Sequence, residues 1–284
     1  MTTEPITVLG AGVMGVGITT LLAAHGLPVR LVDTAPEKLT QAPGRIRQEL
    51  RMAQLMGALP PGREQGEVTP HSDVAAVRGA RLVIEAITED TDLKKAVLSE
   101  VSALISPGTP MISNTSSIPI DELADAVRRP ADLIGTHFMN PPALIGTTEV
   151  IRGARTSEAT LDAVRGLLRE VGRRPVVVRD APGFVTSRLL HPMINDAARV
   201  VQEGTASAED VDALMQGCLG HPTGPLRTAD LIGIDNLVDS LWVLLKRTGD
   251  EGCRPCDLLL QKVADGHHGR KTGHGFYTYE ESAI

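Results

Sequence analysis

Aromatic residues are scarce in this 284-residue chain, at 2 %. Its interior must therefore be built from Val, Leu, Ile and Ala. Hydrophobic residues make up 42 % of the chain, enough for a sizeable core, which excludes a disordered chain. No apolar run approaches the ~18 residues that a membrane-spanning helix needs. The start, Met1-Thr2-Thr3-Glu4-Pro5, has neither a basic region nor an apolar signal, so a cytoplasmic location is expected. Clusters of Lys and Arg are also missing, and the formal net charge is -7. That balance argues against nucleic acid or an anionic membrane surface as partner. Only three cysteines occur, Cys218, Cys253 and Cys256. The last two form a C-x-x-C without the second ligand pair of a zinc site or the βαβ setting of a redox motif, so reduced thiols are expected and no metal.

What is present begins at the first element. Ile6-Thr7-Val8-Leu9 reads as a strand, followed at once by Gly10-Ala11-Gly12-Val13-Met14-Gly15 and an apolar stretch suited to a helix. Gly10 permits the tight turn, Gly12 removes a Cβ from the path of an approaching pyrophosphate, and Gly15 lets helix and strand pack closely. The free N–H groups of the helix start then face the anion. The five residues Gly10, Gly12, Val13, Met14 and Gly15 are the candidate cofactor turn. A second apolar strand, Val29-Arg30-Leu31-Val32, ends in Asp33. An acid about 20 residues beyond the glycines accepts hydrogen bonds from an adenosine ribose and repels a 2′-phosphate, which favours NAD over NADP. The alternative for Asp33 is an N-cap of the next helix.

Along the chain, residues 36–57 carry helical spacing that Pro43-Gly44 should break or kink, and Leu59-Pro60-Pro61-Gly62 turns the chain. Residues 81–88 form a buried-strand pattern ending in acids, 90–105 return to helical spacing, and Met111-Ile112-Ser113 is a short strand leading into the polar loop Asn114-Thr115-Ser116-Ser117. Strands follow at 132–137, 147–151 and 175–179, with a helix at 157–171. The crossover order implies a parallel sheet with right-handed connections, with ligands at the C-terminal ends of its strands. Asp180-Ala181-Pro182-Gly183 marks a boundary, beyond which 184–203, 207–219, 233–247 and 255–265 carry helical periodicity. The expected fold class is therefore α/β, a Rossmann-type doubly wound sheet over 1–180 and a second, smaller all-α domain over 181–284. That second domain is short for a core of its own, so pairing into a homodimer is expected.

His137 ends one strand, and Glu149 lies on the next after the Pro141-Pro142 turn. Oxidising a carbinol requires the hydroxyl proton to leave, and histidine, with a pKa of about 6.5, suits that task. A carboxylate on the other ring nitrogen would fix the tautomer and balance the imidazolium. A structural His beside a Glu is the alternative reading of the spacing alone.

Gly135-Thr136-His137-Phe138-Met139-Asn140-Pro141 resembles the G-x-H-F-x-N-P signature of the 3-hydroxyacyl-CoA dehydrogenase family, and Thr148-Glu149-Val150 matches its V-E-V acid. Further matches run in order along the chain: Glu85-Ala86-Ile87-Thr88-Glu89, Ser113 to Ser117, Pro182-Gly183-Phe184-Val185, Gly220 to Pro225, Asp230 to Asp235 and Lys271 to Tyr277. The resemblance implies that His137 is the base in oxidation and the acid in reduction, with Glu149 orienting it. Ser116 and Asn140 would hold substrate and nicotinamide, and Glu89, Lys94 and Lys271 would contact the NAD. Read alone, Lys94 is an exposed helix lysine and Lys271 a solvated tail lysine.

Four departures bear on the substrate. Ser187 stands where the family motif has an asparagine that points at the substrate. Leu144-Ile145-Gly146-Thr147-Thr148 is more polar than usual, and Met139 replaces a phenylalanine. Residues 46–68, where relatives carry lysines that meet CoA phosphates, contain no lysine, leaving Arg47, Arg51 and Arg63. The expected substrate is thus a 3-hydroxyacyl thioester of CoA or of an acyl carrier protein. A small polar acyl group fits the departures, as in the related dehydrogenases that oxidise a glyceryl group on a carrier protein toward hydroxymalonyl for polyketide extender units. Two other readings remain. A non-catalytic NAD-binding protein would not need Ser116, His137, Asn140 and Glu149 together. A dehydrogenase of free hydroxyacids would be expected to show a lysine base and cationic carboxylate clamps.

Overall fold

A computed structural model of the chain describes residues 4–59, 62 and 64–279. Pro60, Pro61 and Arg63, and with them most of the expected turn after Leu59, lie outside the described residues. The chain divides into two compact units, Met1–Ala181 and Pro182–Ile284.

The first unit holds strands β1 (Ile6–Leu9), β2 (Val29–Val32), β3 (Val68–His71), β4 (Leu82–Glu85), β5 (Met111–Ser113), β6 (Leu133–His137), β7 (Thr147–Arg152) and β8 (Arg174–Arg179). Helices α1 (Val13–Ala24), α2 (Pro36–Leu55), α3 (Thr91–Leu104), α4 (Ile120–Ala124) and α5 (Glu158–Glu170) alternate with them. The strands form one eight-stranded sheet in the order β3-β2-β1-β4-β5-β6-β7-β8. The order reverses direction between β1 and β4, the switch point at which open α/β sheets bind ligands. β1 and β4 are buried along their whole length, the pattern of strands covered on both faces. Ile6, Val8, Leu31 and Ile84 pack with Ile18 and Leu21 of α1, Ile46 and Leu50 of α2, and Leu161 and Leu168 of α5 in one core.

The observed sheet corrects three expectations. β6 and β7 are antiparallel, with β7 and β8 parallel to each other, so the sheet is mixed rather than all parallel. The cause is the connection 138–146, which is too short for a crossover of about a dozen or more residues. Helix α2 runs unbroken through Pro43. Pro43 is exposed at the margin of the buried stripe that Ala42, Ile46, Leu50 and Ala53 form. Losing one turn's hydrogen bond costs ~3 kcal/mol, which burial of Ile46 and Leu50 at roughly 1.5–3 kcal/mol each offsets. Strand β3, Val-Thr-Pro-His, had no apolar alternation to announce it. Its Pro70 is tolerated because β3 is the sheet edge.

The second unit is smaller and all-helical: α6 (Thr186–Gln202), α7 (Ala208–Leu219), α8 (Pro225–Ile232), α9 (Ile234–Thr248) and α10 (Asp257–Ala264). Ile194, Leu226, Leu237, Leu241, Leu244 and Leu259 are central to its core. Helix α8 was not expected. Its start is capped from another element, because Asp212 of α7 accepts the N–H groups of Leu226 and Arg227 at 2.8 and 2.9 Å. Among the described residues no helix is long and apolar enough to cross a membrane.

Candidate active site

The glycine turn occupies the C-terminal end of β1. Gly10 has φ +99°, and a Cβ there would stand 2.6 Å from the Ala86 carbonyl oxygen at the end of β4. A Cβ on Gly15 would lie 1.7 Å from the Gly10 oxygen. These two glycines are demanded by contacts inside the protein. Gly12 is different, because a Cβ built on it meets nothing within 4 Å. Nothing within the described fold demands a glycine there. Gly12 is also the N-cap of α1, which has no side-chain cap and no acidic residue in its first turn. Helices α3, α5 and α7 begin instead on Asp90, Ser157 and Ser207, each accepting a first-turn N–H. An uncapped helix start behind a clear glycine leaves N–H groups that suit a phosphate anion. Val13 is exposed and Met14 half-buried at the same turn.

Asp33, just past β2, braces that turn. Its Oδ2 accepts the Ala11 N–H at 2.7 Å and its Oδ1 accepts the Ala35 N–H at 2.9 Å. The N-cap of α2 is Ala35, so Asp33 does not cap the helix. A carboxylate oxygen has lone pairs to spare for a ribose hydroxyl. The turn and Asp33 together fit an adenine dinucleotide.

The ends of β4 and β5 carry a buried charge cluster. Glu85 and Lys94 have fully buried side chains and form an ion pair. The second Glu85 oxygen accepts the Ser113 hydroxyl, and the first also takes the Ile87 N–H at 2.9 Å. The Lys94 ammonium reaches Glu89 as well, at 3.2 Å. One oxygen of Glu89 accepts from the Ser116 N–H at 2.8 Å, the Ser116 hydroxyl at 3.2 Å and the Ser117 N–H at 3.1 Å, besides the Thr115 hydroxyl. Burial pushes the Glu89 carboxyl up, but Lys94 and these hydrogen bonds outweigh it and hold the group below the usual carboxylate range. Lys94 is thus an interior residue, not an exposed one. Its ammonium is committed to Glu85 and Glu89, and through Glu89 it orders the loop that presents Ser116. Helical phase announces this, since Lys94 shares a buried face with Leu98 and Val101. Glu85 had been noted only as part of a motif, and a buried strand-end acid calls for such a cation.

His137 and Glu149 stand directly opposite each other in the β6–β7 ladder. The His137 Nδ1 lies 3.3 Å from Glu149 Oε2, with both residues buried. A carboxylate on Nδ1 fixes the orientation of the imidazole ring. The Phe138 N–H donates to Asn114 Oδ1 at 3.0 Å, joining the loop after β5 to the segment after His137. Ser116 is half-buried, and Asn140, three residues past His137, is exposed. Asn114 was not singled out beforehand, and only the tertiary contact marks it.

Two further candidates belong to the helical unit. Ser187 is buried in the first turn of α6. Lys271 donates to Asp235 Oδ2 at 2.6 Å. The thiols of Cys253 and Cys256 are buried and free, and burial pushes both up, which makes them poor nucleophiles.

A Rossmann-like sheet with a clear glycine turn at its switch point and a His–carboxylate pair at the same sheet end defines an NAD-dependent dehydrogenase. Residues 5–181 match the family model described as 3-hydroxyacyl-CoA dehydrogenase, NAD binding domain, and residues 183–279 match the C-terminal domain of the same family. The chain belongs to the 3-hydroxyacyl-CoA dehydrogenase family, NAD-dependent oxidoreductases acting on a thioester. It is 40 % identical to a Deinococcus radiodurans protein named "Probable 3-hydroxybutyryl-CoA dehydrogenase", over 96 % of this chain and 99 % of that protein. The crystal structure of M. tuberculosis FadB2 superposes with a TM-score of 0.92 at 34 % identity, covering 98 % of this chain and 99 % of that one. That of (S)-3-hydroxybutyryl-CoA dehydrogenase PaaH1 from Ralstonia eutropha gives 0.88 at 35 %, covering 99 % and 100 %.

The glycines separate in a substitution test. Gly12→Ala should keep its melting temperature while weakening NADH binding, read by fluorescence titration. Gly15→Ala should lose stability first, by several kelvin in thermal unfolding, because its Cβ has no room.

Proposed function

We propose that the chain oxidises and reduces C3 of a 3-hydroxyacyl thioester, with His137 as the proton-transferring residue and Glu149 as its orienting partner. The observation that supports this most is the opposed register of the two residues, with Nδ1 on the carboxylate at 3.3 Å. NAD, when bound, supplies the hydride acceptor. In oxidation His137 Nε2 takes the C3 hydroxyl proton, and in reduction it returns it. Glu149 holds the ring in the tautomer that leaves Nε2 basic and stabilises the imidazolium once formed. Ser116, on a loop that Glu89 orders, and Asn140 hold the substrate and nicotinamide. Gly10, Gly12, Val13, Met14 and Gly15 seat the pyrophosphate, and Asp33 accepts from the adenosine ribose. Ser187 and Lys271 keep the roles that the family motifs imply for them, toward the acyl group and the cofactor.

A second reading concerns what carries the acyl group. Arg47 and Arg51 lie one helical turn apart on the exposed face of α2, beside the exposed Met52, Leu55 and Met56. Two cations beside apolar surface suit the single phosphate of a carrier-protein arm better than the several phosphates of CoA. The polar segment Gly146-Thr147-Thr148 suits a small hydroxylated acyl group, such as glyceryl on its way to hydroxymalonyl. The helical unit carries exposed Leu189, Leu219, Leu231 and Trp242, which supports a homodimer formed through that unit.

Three outcomes are expected. His137→Ala abolishes turnover yet leaves NADH affinity near normal, and Glu149→Gln lowers kcat and shifts its pH profile; turnover surviving the first change removes the base assignment. Glyceryl and 3-hydroxybutyryl carrier-protein thioesters outpace 3-hydroxybutyryl-CoA in kcat/KM. A tenfold preference for CoA would end the carrier reading while leaving the dehydrogenase reading intact. Light scattering after gel filtration gives twice the 30.1 kDa chain mass.

A further inference from the structure

One buried cation beside the catalytic strands has no role in the chemistry above. Arg173 is 7 % exposed, and each partner the structure gives it is a backbone carbonyl. Its Nε donates to the Pro142 oxygen at 3.2 Å, its Nη2 to the Ala143 oxygen at 2.7 Å, and its Nη1 to the Gly172 oxygen at 3.3 Å. Burying a guanidinium against carbonyls alone is costly, and it persists only where its donors are used. Burial holds the group below its ordinary value, with no acidic side chain acting to raise it.

The local chain explains how Arg173 gets there. After α5 ends, Gly172 adopts φ +66° and reverses the backbone. The Arg173 N–H then donates back to the Leu168 oxygen at 2.7 Å, and the Arg174 N–H goes to the Gly146 oxygen at 2.8 Å. The side chain is thereby delivered to the turn that joins β6 to β7. That turn is poor in donors, because Pro141 and Pro142 have no N–H. Its own hydrogen bonds, from Leu144 and Ile145 at 3.0 and 3.3 Å, both go to the Pro141 oxygen. The Pro142 and Ala143 oxygens are left for Arg173. Pro142 also presses on α1, where a Cβ on Gly17 would stand 2.7 Å from its Cδ. The turn is therefore held between α1, which begins at the glycine turn, and the arginine.

We propose that Arg173 is a positioning residue for the reaction. By clamping the Pro142 and Ala143 carbonyls it seats the turn against α1, and so sets where Asn140 and the His137–Glu149 pair stand relative to the glycine turn. The inference rests on the assignment of His137 and Glu149 given above. A planar fork with fixed donors suits two adjacent carbonyls, and a lysine cannot reproduce it.

The test uses Arg173→Lys and Arg173→Met, alone and each with Glu149→Gln. Melting temperature, NADH dissociation constant, kcat and KM are measured per folded molecule. Displacing reacting groups by a fraction of an ångström to an ångström costs about tenfold to a hundredfold in rate. The expected result is a kcat lowered about tenfold or more in Arg173→Met, less in Arg173→Lys, with NADH affinity within about threefold of the parent. With Glu149→Gln, the combined loss in kcat should be well short of the product of the single losses, because both changes act on one pair. If Arg173→Met does not fold, the Arg173→Lys arm decides. A kcat within about twofold of the parent in every folded Arg173 variant, or losses that multiply cleanly with Glu149→Gln, overturns the proposal. A Glu149→Gln single variant with parental rate and pH profile would instead overturn the assignment it rests on.

Discussion

The antiparallel pairing of β6 with β7 is the constraint on which the His137–Glu149 arrangement depends. A parallel neighbour would have sent β7 away across the sheet, and residue 149 would have met a different partner. The connection 138–146 is too short to cross over, so the chain turns back, and the ladder places residue 149 opposite residue 137. Side-chain direction follows from register alone, because two opposed residues project to the same face. The His–carboxylate pair is thus a consequence of a turn length. The prolines of that turn leave carbonyls with no local donor, and Arg173 answers them from the link just before β8.

Buried charge elsewhere in the same unit follows one logic. Glu85, Lys94, Glu89 and Asp33 each meet more than one partner, and together they order the loops at the strand ends. Glu85 and Lys94 neutralise each other behind β4 and β5. Glu89 then gathers the hydroxyls and N–H groups of residues 115–117 onto one oxygen. Asp33 does the same for the glycine turn through Ala11. In a low-dielectric setting such groups are costly when half satisfied and rigid when complete. The rigid version is what a site must have if its hydroxyl and imidazole are to wait at fixed positions.

Much of this was legible in the linear chain because it is local. The glycine turn, the strands ending at Ser113 and His137 and the helices from 91 and 158 follow from apolar period and turn chemistry. The family's ordered motifs singled out His137 and Glu149, which the β6–β7 ladder places opposite each other. What was misread depended on distant parts. Pro43-Gly44 looked like a break or a kink, but the buried stripe of Ala42, Ile46, Leu50 and Ala53 holds α2 together without a break. Lys94 looked exposed because its two acids lie at the end of another strand and in the loop beyond it. Helix α8 went unseen because its cap comes from α7, and β3 because an edge strand needs no apolar alternation.

The sequence by itself determined which residue types were present to do chemistry and where strands such as β1, β5 and β6 end, since those depend on side-chain type and on neighbours a few positions away. Tertiary structure alone decided the direction of β7, the burial of Lys94, the bracing of the glycine turn by Asp33 and the placement of Arg173 on the Pro142–Ala143 carbonyls. Each of these is a pairing between groups far apart in the chain. It comes into being only when the core closes and buried polar atoms must find partners.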